Sequence, residues 1–334
     1  MSHCGNVISS VAHSWAIRLA TVAALGIASS PNAVQAEDYP ARPVRIVVGY
    51  GPGASGDIVA RIMAQALSKS LNRQFTIENR AGAGSGVATT YVAHAAPDGY
   101  TLLQATVSNG IIAATDSNLT YDLVKDFAPI TLFATLPNIL VVNEGVPARS
   151  VSELIALART RPDYLSFGSS GVGSGSHFSG ELFNVMAGIK IQHVPYPGTA
   201  QAATDLLAGR IHVMFSPAST VLGFVAERRL VALASTGAQR AGAAPELPTI
   251  AEAALPGYDT SNWYGLLAPA GVPQEIVKRL AEACNEAVRS PDVIGPLALQ
   301  GFDTLQGSPE AFADFIKTDV ARWSRVAAAA GLKR

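Results

Sequence analysis

The sequence is short of charge. Only 15% of its 334 residues are Asp, Glu, Lys or Arg, and 24 basic side chains against 25 acidic ones leave a formal net charge of −1. That balance excludes a general electrostatic hold on nucleic acid, which needs a basic face. It also argues against a metal cage of clustered carboxylates. Cysteine is nearly missing, with only Cys4 and Cys284. No Cys-x-x-Cys or His-x-x-x-His spacing occurs, so neither a metal nor any other cofactor is expected. No apolar run reaches the ~20 residues that cross a bilayer. The apolar share is nonetheless 49%. That is enough for a sizeable core, and the length suits about two domains.

The start of the chain reads as an export signal, residues 1–36. Arg18 precedes the short apolar run Leu19–Ile27, then come Ser29, Ser30, Pro31 and the small-residue site Val34-Gln35-Ala36. Cleavage is predicted after Ala36, giving a soluble exported protein. Cys4 goes with the signal, and Cys284 alone cannot close an internal disulfide. It falls in the amphipathic pattern Ile276-Val277-Leu280-Ala281-Cys284-Val288 and reads as a small buried apolar residue.

The rest alternates β-branched runs with helical periods. Val44–Val48 leads through a Gly-rich loop into Ile58, Val59, Ile62, Met63, Ala66, Leu67 and Leu71 at helical spacing. Phe75–Glu78, a second Gly-rich loop and a helix to about Ala95 follow, then a strand Tyr100–Ala105. This βαβαβ order implies a parallel sheet with right-handed crossovers. It recurs with a helix Val151–Thr160, strands Leu165–Phe167, Ile191–Val194, Ile211–Phe215 and Leu230–Ala234, and helices between them. Asn138–Val142 and Trp263–Ala268 are apolar runs suited to crossing between the two units. Ser308-Pro309-Glu310 opens a last helix to about Ala330, with proline at its first position.

Three Gly-rich segments share one design: Gly51–Asp57, Ala81–Gly86 and Gly168–His177 each follow a strand and open a helix. The first amides of a helix lack internal partners and carry partial positive charge. Glycine lets a ligand come close to that backbone. The combination binds anions without any arginine. Three such ends facing one cleft suit a carboxylate. Two other readings stand beside this one. Gly51-x-Gly53-x-x-Gly56 with Glu78 matches the dinucleotide fingerprint, although Pro52 deletes one N–H of the loop. Ser169, Ser170, Ser174 and Ser176 lie beside His177, the raw material of a serine hydrolase, but no Gly-x-Ser-x-Gly elbow occurs. Asp57, at the first turn of a helix, is either a loop brace or a ligand contact. His177 falls where a cation is poorly placed, which favours a neutral imidazole.

Taken together, these residues resemble the Bug family, the periplasmic solute-binding proteins of tripartite tricarboxylate transporters. The resemblance rests on Tyr39-Pro-x-Arg-Pro-Val-Arg-Ile-Val-Val48, on Pro52-Gly53 with Asp57, and on Glu78-Asn79-Arg80-Ala-Gly-Ala-Gly84. It continues through Pro97-Asp-Gly-Tyr-Thr-Leu102, Gly168-Ser-Ser-Gly-Val-Gly-Ser174 with His177, Tyr196-x-Gly198, and Trp263-x-Gly265-Leu-Leu-Ala-Pro-Ala-Gly271. The chain departs from the family pattern at Ala54, Pro197 and Gln201. The resemblance implies a two-lobed type II periplasmic-binding α/β fold, each lobe a mainly parallel sheet flanked by helices. Lobe 1 would be residues 37–142 plus 263–334, and lobe 2 residues 143–262. It implies a non-catalytic, monomeric protein that captures a small carboxylate and delivers it to two integral-membrane subunits. The ligand contacts it implies are Pro52, Gly53, Ala54, Ser55 and Asp57; Gly82, Ala83 and Gly84; Ser169, Ser170, Gly171, Ser174 and His177; and Gly198 with Thr199.

Overall fold

The structure, a computed structural model, describes residues 39–332. The predicted export signal and its cleavage site lie outside the described residues. The chain begins with β1 (Val44–Val48), α1 (Ser55–Ser70), β2 (Phe75–Asn79), a single 3-10 turn at Ala83–Ser85, α2 (Gly86–Ala93) and β3 (Thr101–Thr106). These β-branched and aliphatic strands pair in parallel in the order β2-β1-β3, as the βαβ pattern expects. Next come α3 (Val107–Thr115) and the long β4 (Phe127–Leu136).

At Pro137 the chain passes to a second sheet. β5 (Asn138–Asn143), α4 (Val151–Thr160), β6 (Ser166–Ser169), α5 (Gly175–Ala187), β7 (Gln192–Pro195), α6 (Thr199–Leu207), β8 (Val213–Pro217), α7 (Ala218–Ala226) and β9 (Leu230–Ser235) build it. Its order is β7-β6-β8-β5-β9. After the short α8 (Ile250–Ala253), β10 (Asn262–Pro269) returns to the first sheet, followed by α9 (Gln274–Ala287), α10 (Pro291–Leu299), β11 (Asp303–Thr304) and α11 (Pro309–Ala330). The first sheet then reads β11-β4-β10-β3-β1-β2.

The two runs expected to cross between units each join one sheet completely. β5 pairs antiparallel with β8 and β9, both in the second sheet. β10 pairs antiparallel with β3 and β4, both in the first. Each strand enters its sheet from the other one, so it runs against the parallel strands it meets. The crossing is confined to Pro137 and to the segment before Asn262.

One apolar core continues from sheet to sheet. Val47 and Leu103 of the first sheet belong to the same buried cluster as Phe167 and Phe215 of the second. The link is α11 against α5: the rings of Trp323 and Phe178 meet edge to face with centroids 5.4 Å apart. Ser308 caps α11 as the sequence expects, its hydroxyl accepting from the Ala311 amide at 3.1 Å. Cys284 is buried, and burial pushes its thiol up to about 12, which keeps it inert.

Candidate ligand-binding site

Between the two sheets lies a cavity of about 710 Å³. Five helix starts reach its wall. Ala54, Ser55 and Gly56 come from α1, Thr106 to Ser108 from α3, Ser174 to Ser176 from α5, Gly198 to Ala200 from α6, and Pro217 with Ser219 and Thr220 from α7. Every one follows a strand of the first or second sheet, so the strand ends aim these helix starts at one space. Each contributes unpaired backbone N–H groups and the positive end of a dipole, worth ~0.3–2 kcal/mol toward an anion. Among the described residues, no Asp, Glu, Lys, Arg or His side chain lines the cavity. Val107, Leu136, Val172, Pro197 and Pro217 give the wall its apolar parts.

Of the contacts expected from the sequence, Gly53, Ala54, Ser55, Gly84, Ser170, Ser174, Gly198 and Thr199 line the cavity. Pro52, Asp57, Gly82, Ala83, Ser169, Gly171 and His177 are absent from its wall. Asp57 is buried behind the first loop. Its carboxylate accepts from the Gly53 amide at 2.9 Å, from Arg61 Nε at 2.9 Å and from Asn79 Nδ2 at 2.8 Å. Burial raises the carboxyl, but those donors outweigh it and hold the group down at about 2. Gly53 has φ +83, a conformation that favours glycine and turns its N–H toward this brace.

His177 is also a brace, for the second-sheet loop. Its ring stacks on His193 with centroids 4.0 Å apart, and His193 stacks on Phe167 at 4.9 Å. His177 Nδ1 lies 3.2 Å from the Gly173 amide and accepts from it. Burial, with a smaller push from His193, lowers His177 to about 3, and burial lowers His193 to about 4. The ring is therefore neutral at pH 7. Its 3.6 Å approach to Glu181 is no ion pair, because the imidazole carries no charge. Ser169 is buried against His193, its hydroxyl 2.6 Å from Nε2.

The two enzyme readings fail on particular contacts. Glu78, the would-be ribose acid, is held by Arg45 at 2.8 Å and by Arg80. Ser174 caps α5: its hydroxyl accepts from the His177 backbone at 3.2 Å and donates to Gly171 O at 2.7 Å, so it faces no base. Ser169, whose hydroxyl does meet His193, is fully buried and off the cavity wall.

Several wall residues carry no signal in the Gly-rich loops. Tyr50 OH lies 2.9 Å from Thr106 Oγ1. The Thr106 amide donates to Asn109 Oδ1 at 2.7 Å, and Asn109 Nδ2 donates to Thr89 Oγ1 at 2.7 Å. This network fixes the start of α3. Thr106-x-x-Asn109, a cap spacing directly after a strand, was the available clue. At the crossing, Asn262 Nδ2 donates to Leu136 O at 3.1 Å and, more weakly, to Asn138 Oδ1 at 3.4 Å. A Cβ at Gly175 would lie 2.2 Å from Asn262 Oδ1 and 3.3 Å from Val107, so any larger residue there displaces the Asn262 amide.

A two-sheet α/β fold with a cavity walled by helix starts, and no charged side chain on that wall among the described residues, suits a binding protein. The family model described as "Tripartite tricarboxylate transporter family receptor" matches residues 59–332. A protein from the tcbD-tcbE intergenic region of Pseudomonas sp. strain P51 is 36% identical over 309 residues, covering 92% of each chain. Protein BugT of Bordetella pertussis is 33% identical over 314 residues, 93% of this chain and 95% of that one. Among solved structures, Rpa4515 of R. palustris with adipate superposes with a TM-score of 0.75 at 37% identity, over 89% of this chain and 99% of that one. The chain belongs to the tripartite tricarboxylate transporter receptor family, the Bug solute-binding proteins. Members of this family are receptors and not enzymes. Among the described residues, no helix is long and apolar enough to cross a membrane.

Proposed function

We propose that this receptor captures a small organic carboxylate in its interlobe cavity, in the periplasm, and hands it to two integral-membrane subunits of a tripartite tricarboxylate-type transporter. The observation that carries this reading is the convergence of five helix starts on a wall without a charged side chain. Backbone dipoles then supply the counter-field for an anion. The adipate bound by its relative supports the same class of ligand. Gly53, Ala54, Ser55, Gly84, Ser170, Ser174, Gly198 and Thr199 are the proposed contacts among the residues expected from the sequence. Asp57 and His177 act indirectly, by holding the loops that carry them.

The two lobes are those expected from the sequence, residues 37–142 plus 263–334 and residues 143–262, except that the first boundary is better set at Pro137, because all of β5 pairs within the second sheet. The protein works as a monomer after cleavage behind Ala36. A ligand touching both lobes prefers their closed arrangement and shifts the population by that difference in affinity. The closed surface is what the membrane subunits read. Differential scanning fluorimetry against mono-, di- and aromatic carboxylates tests this. A cognate acid at a hundred times its Kd adds about 2.7 kcal/mol of stability, a rise of several degrees. A flat melting temperature across the whole panel overturns the reading.

A further inference from the structure

The four sheet edges are not alike. β11 is two residues long, β7 ends in Pro195, and β9 is met at Ser235 by Pro248 and Thr249. Each is thereby blunted against a further strand. β2 is five residues without proline, and among the described residues its outer side pairs with no strand. Val44 N donates to Gln74 O and Arg80 N to Val48 O, so the even-numbered backbone groups face β1. The N–H and C=O of Ile77 and Asn79 therefore point outward. Basic side chains stand on both faces of this edge. On one, Arg45 and Arg80 both pair with Glu78, and the Arg80 guanidinium lies 3.6 Å over the Tyr91 ring of α2. On the other, Arg61 of α1 reaches Asn79 Oδ1 at 3.2 Å. The Arg45, Arg80 and Arg61 side chains stay 44%, 36% and 53% exposed, and none of them lines the cavity. The whole unit shares the bias: residues 39–95 carry six basic side chains against two acidic ones, while residues 96–332 carry 15 against 21.

We propose that the outer edge of β2 is a docking surface for an extended acidic segment of the membrane partner, which adds to the sheet as a further strand with its carboxylates on Arg45, Arg61 and Arg80. This rests on the delivery reading above and gives that delivery a point of contact. Backbone pairing supplies the affinity, and the arginines choose the sign of the partner. A second copy of β2 is an unsuitable occupant, since it brings the same positive charge. The surface lies behind the cavity loops rather than in them. β2 runs on into the second Gly-rich loop, and Arg61 holds Asp57, which in turn holds Gly53 of the first. A docked segment thus leaves the cavity wall free while touching the supports of both loops.

Capped oligoglutamate, its backbone N-methylated counterpart and oligolysine are the probes, titrated by fluorescence anisotropy into solute-free receptor at low salt. Wild type is compared with the Arg45→Gln/Arg80→Gln double variant, each first shown to melt cooperatively. The expected result is saturable binding of oligoglutamate to wild type, weakened about tenfold or more by the double variant and equally by N-methylation, with no binding of oligolysine. Hydrogen exchange read by NMR should show the Ile77 and Asn79 amides slowed by oligoglutamate. If oligoglutamate does not bind, binds as tightly to the double variant or when N-methylated, or leaves those two amides unprotected, the docking surface is overturned and carboxylate capture stands. Capture is judged separately by melting temperature: a receptor that responds to no acid and still protects Ile77 and Asn79 loses the capture reading and keeps the docking one.

Discussion

The two halves of the cavity face the same task and meet it with opposite chemistry. Each must hold a Gly-rich loop still so that the start of a helix keeps its aim. On the first-sheet side the brace is ionic: Asp57 gathers the Gly53 amide, Arg61 and Asn79. On the second-sheet side it is neutral: His177 and His193 stack beneath the loop, His177 accepting from the Gly173 amide and His193 contacting Ser169. A carboxylate behind one loop is tolerated because it is saturated with donors and points away from the cavity. A histidine behind the other is tolerated because burial keeps it uncharged. Both solutions stiffen backbone without placing a formal charge in the space where a ligand sits.

The contrast is sharpest in acid. His177 is lowered in the folded state from an ordinary value near 6.5. Its contribution is complete above pH 6.5 and is lost as the pH falls, because the unfolded chain then takes up a proton that the folded chain refuses. Each unit below 6.5 costs up to about 1.4 kcal/mol, or about 3 kcal/mol by pH 4.5. Urea unfolding from pH 7 to 4.5 should show at least this slope, to which His193, lowered to about 4, adds its own share; His177→Phe should reduce the slope without abolishing it, and an unchanged slope in the variant means that His177 is not an acid-sensitive element. The ionic brace responds lower. Asp57 contributes fully above about pH 4 and loses its share as the pH falls to about 2. Asp57→Asn should therefore cost about 2 kcal/mol at pH 7 and almost nothing at pH 2. Equal losses at both values would remove the ionic explanation. The smallest effect lies under the first-sheet half. Gln104 is fully buried below α1, and neither of its amide atoms has a partner among the described residues. Gln104→Met should raise stability by about 1 kcal/mol, read as a higher urea midpoint at unchanged slope. A drop would mean that the amide is satisfied in solution.

How much of this was legible in the sequence divides along the same line. The β1–α1 and β6–α5 junctions announce themselves with Gly51, Gly53, Gly171 and Gly173, and both reach the cavity. The α3 and α7 starts have no glycine, since Thr106 and Pro217 adopt extended backbone that any residue can hold, and α3 escaped the sequence reading. α10 escaped it as well, although Ser290-Pro291 repeats the cap of Ser308-Pro309. Patterns of spacing find helix starts, but they cannot say which residues behind a loop face the ligand. The linear motif leaves Asp57 open between loop brace and ligand contact and offers His177 as a contact, and only the third dimension puts both behind their loops. Asn138 and Asn262 sit 124 positions apart in the chain, so nothing local relates them. Their pairing exists only because the chain changes sheets twice at the same place.

The uncharged wall also decides what acidity can do to capture. Among the described residues, Tyr50 and Tyr264 are the only titratable side chains on the wall, and burial raises both above the ordinary phenol value, so they stay protonated through the neutral range. The receptor therefore contributes no ionisation of its own at the point of contact. Proton dependence of ligand binding near neutrality is therefore expected to follow the ionisation of the ligand, and its midpoint is a fingerprint by which an unidentified ligand can be recognised.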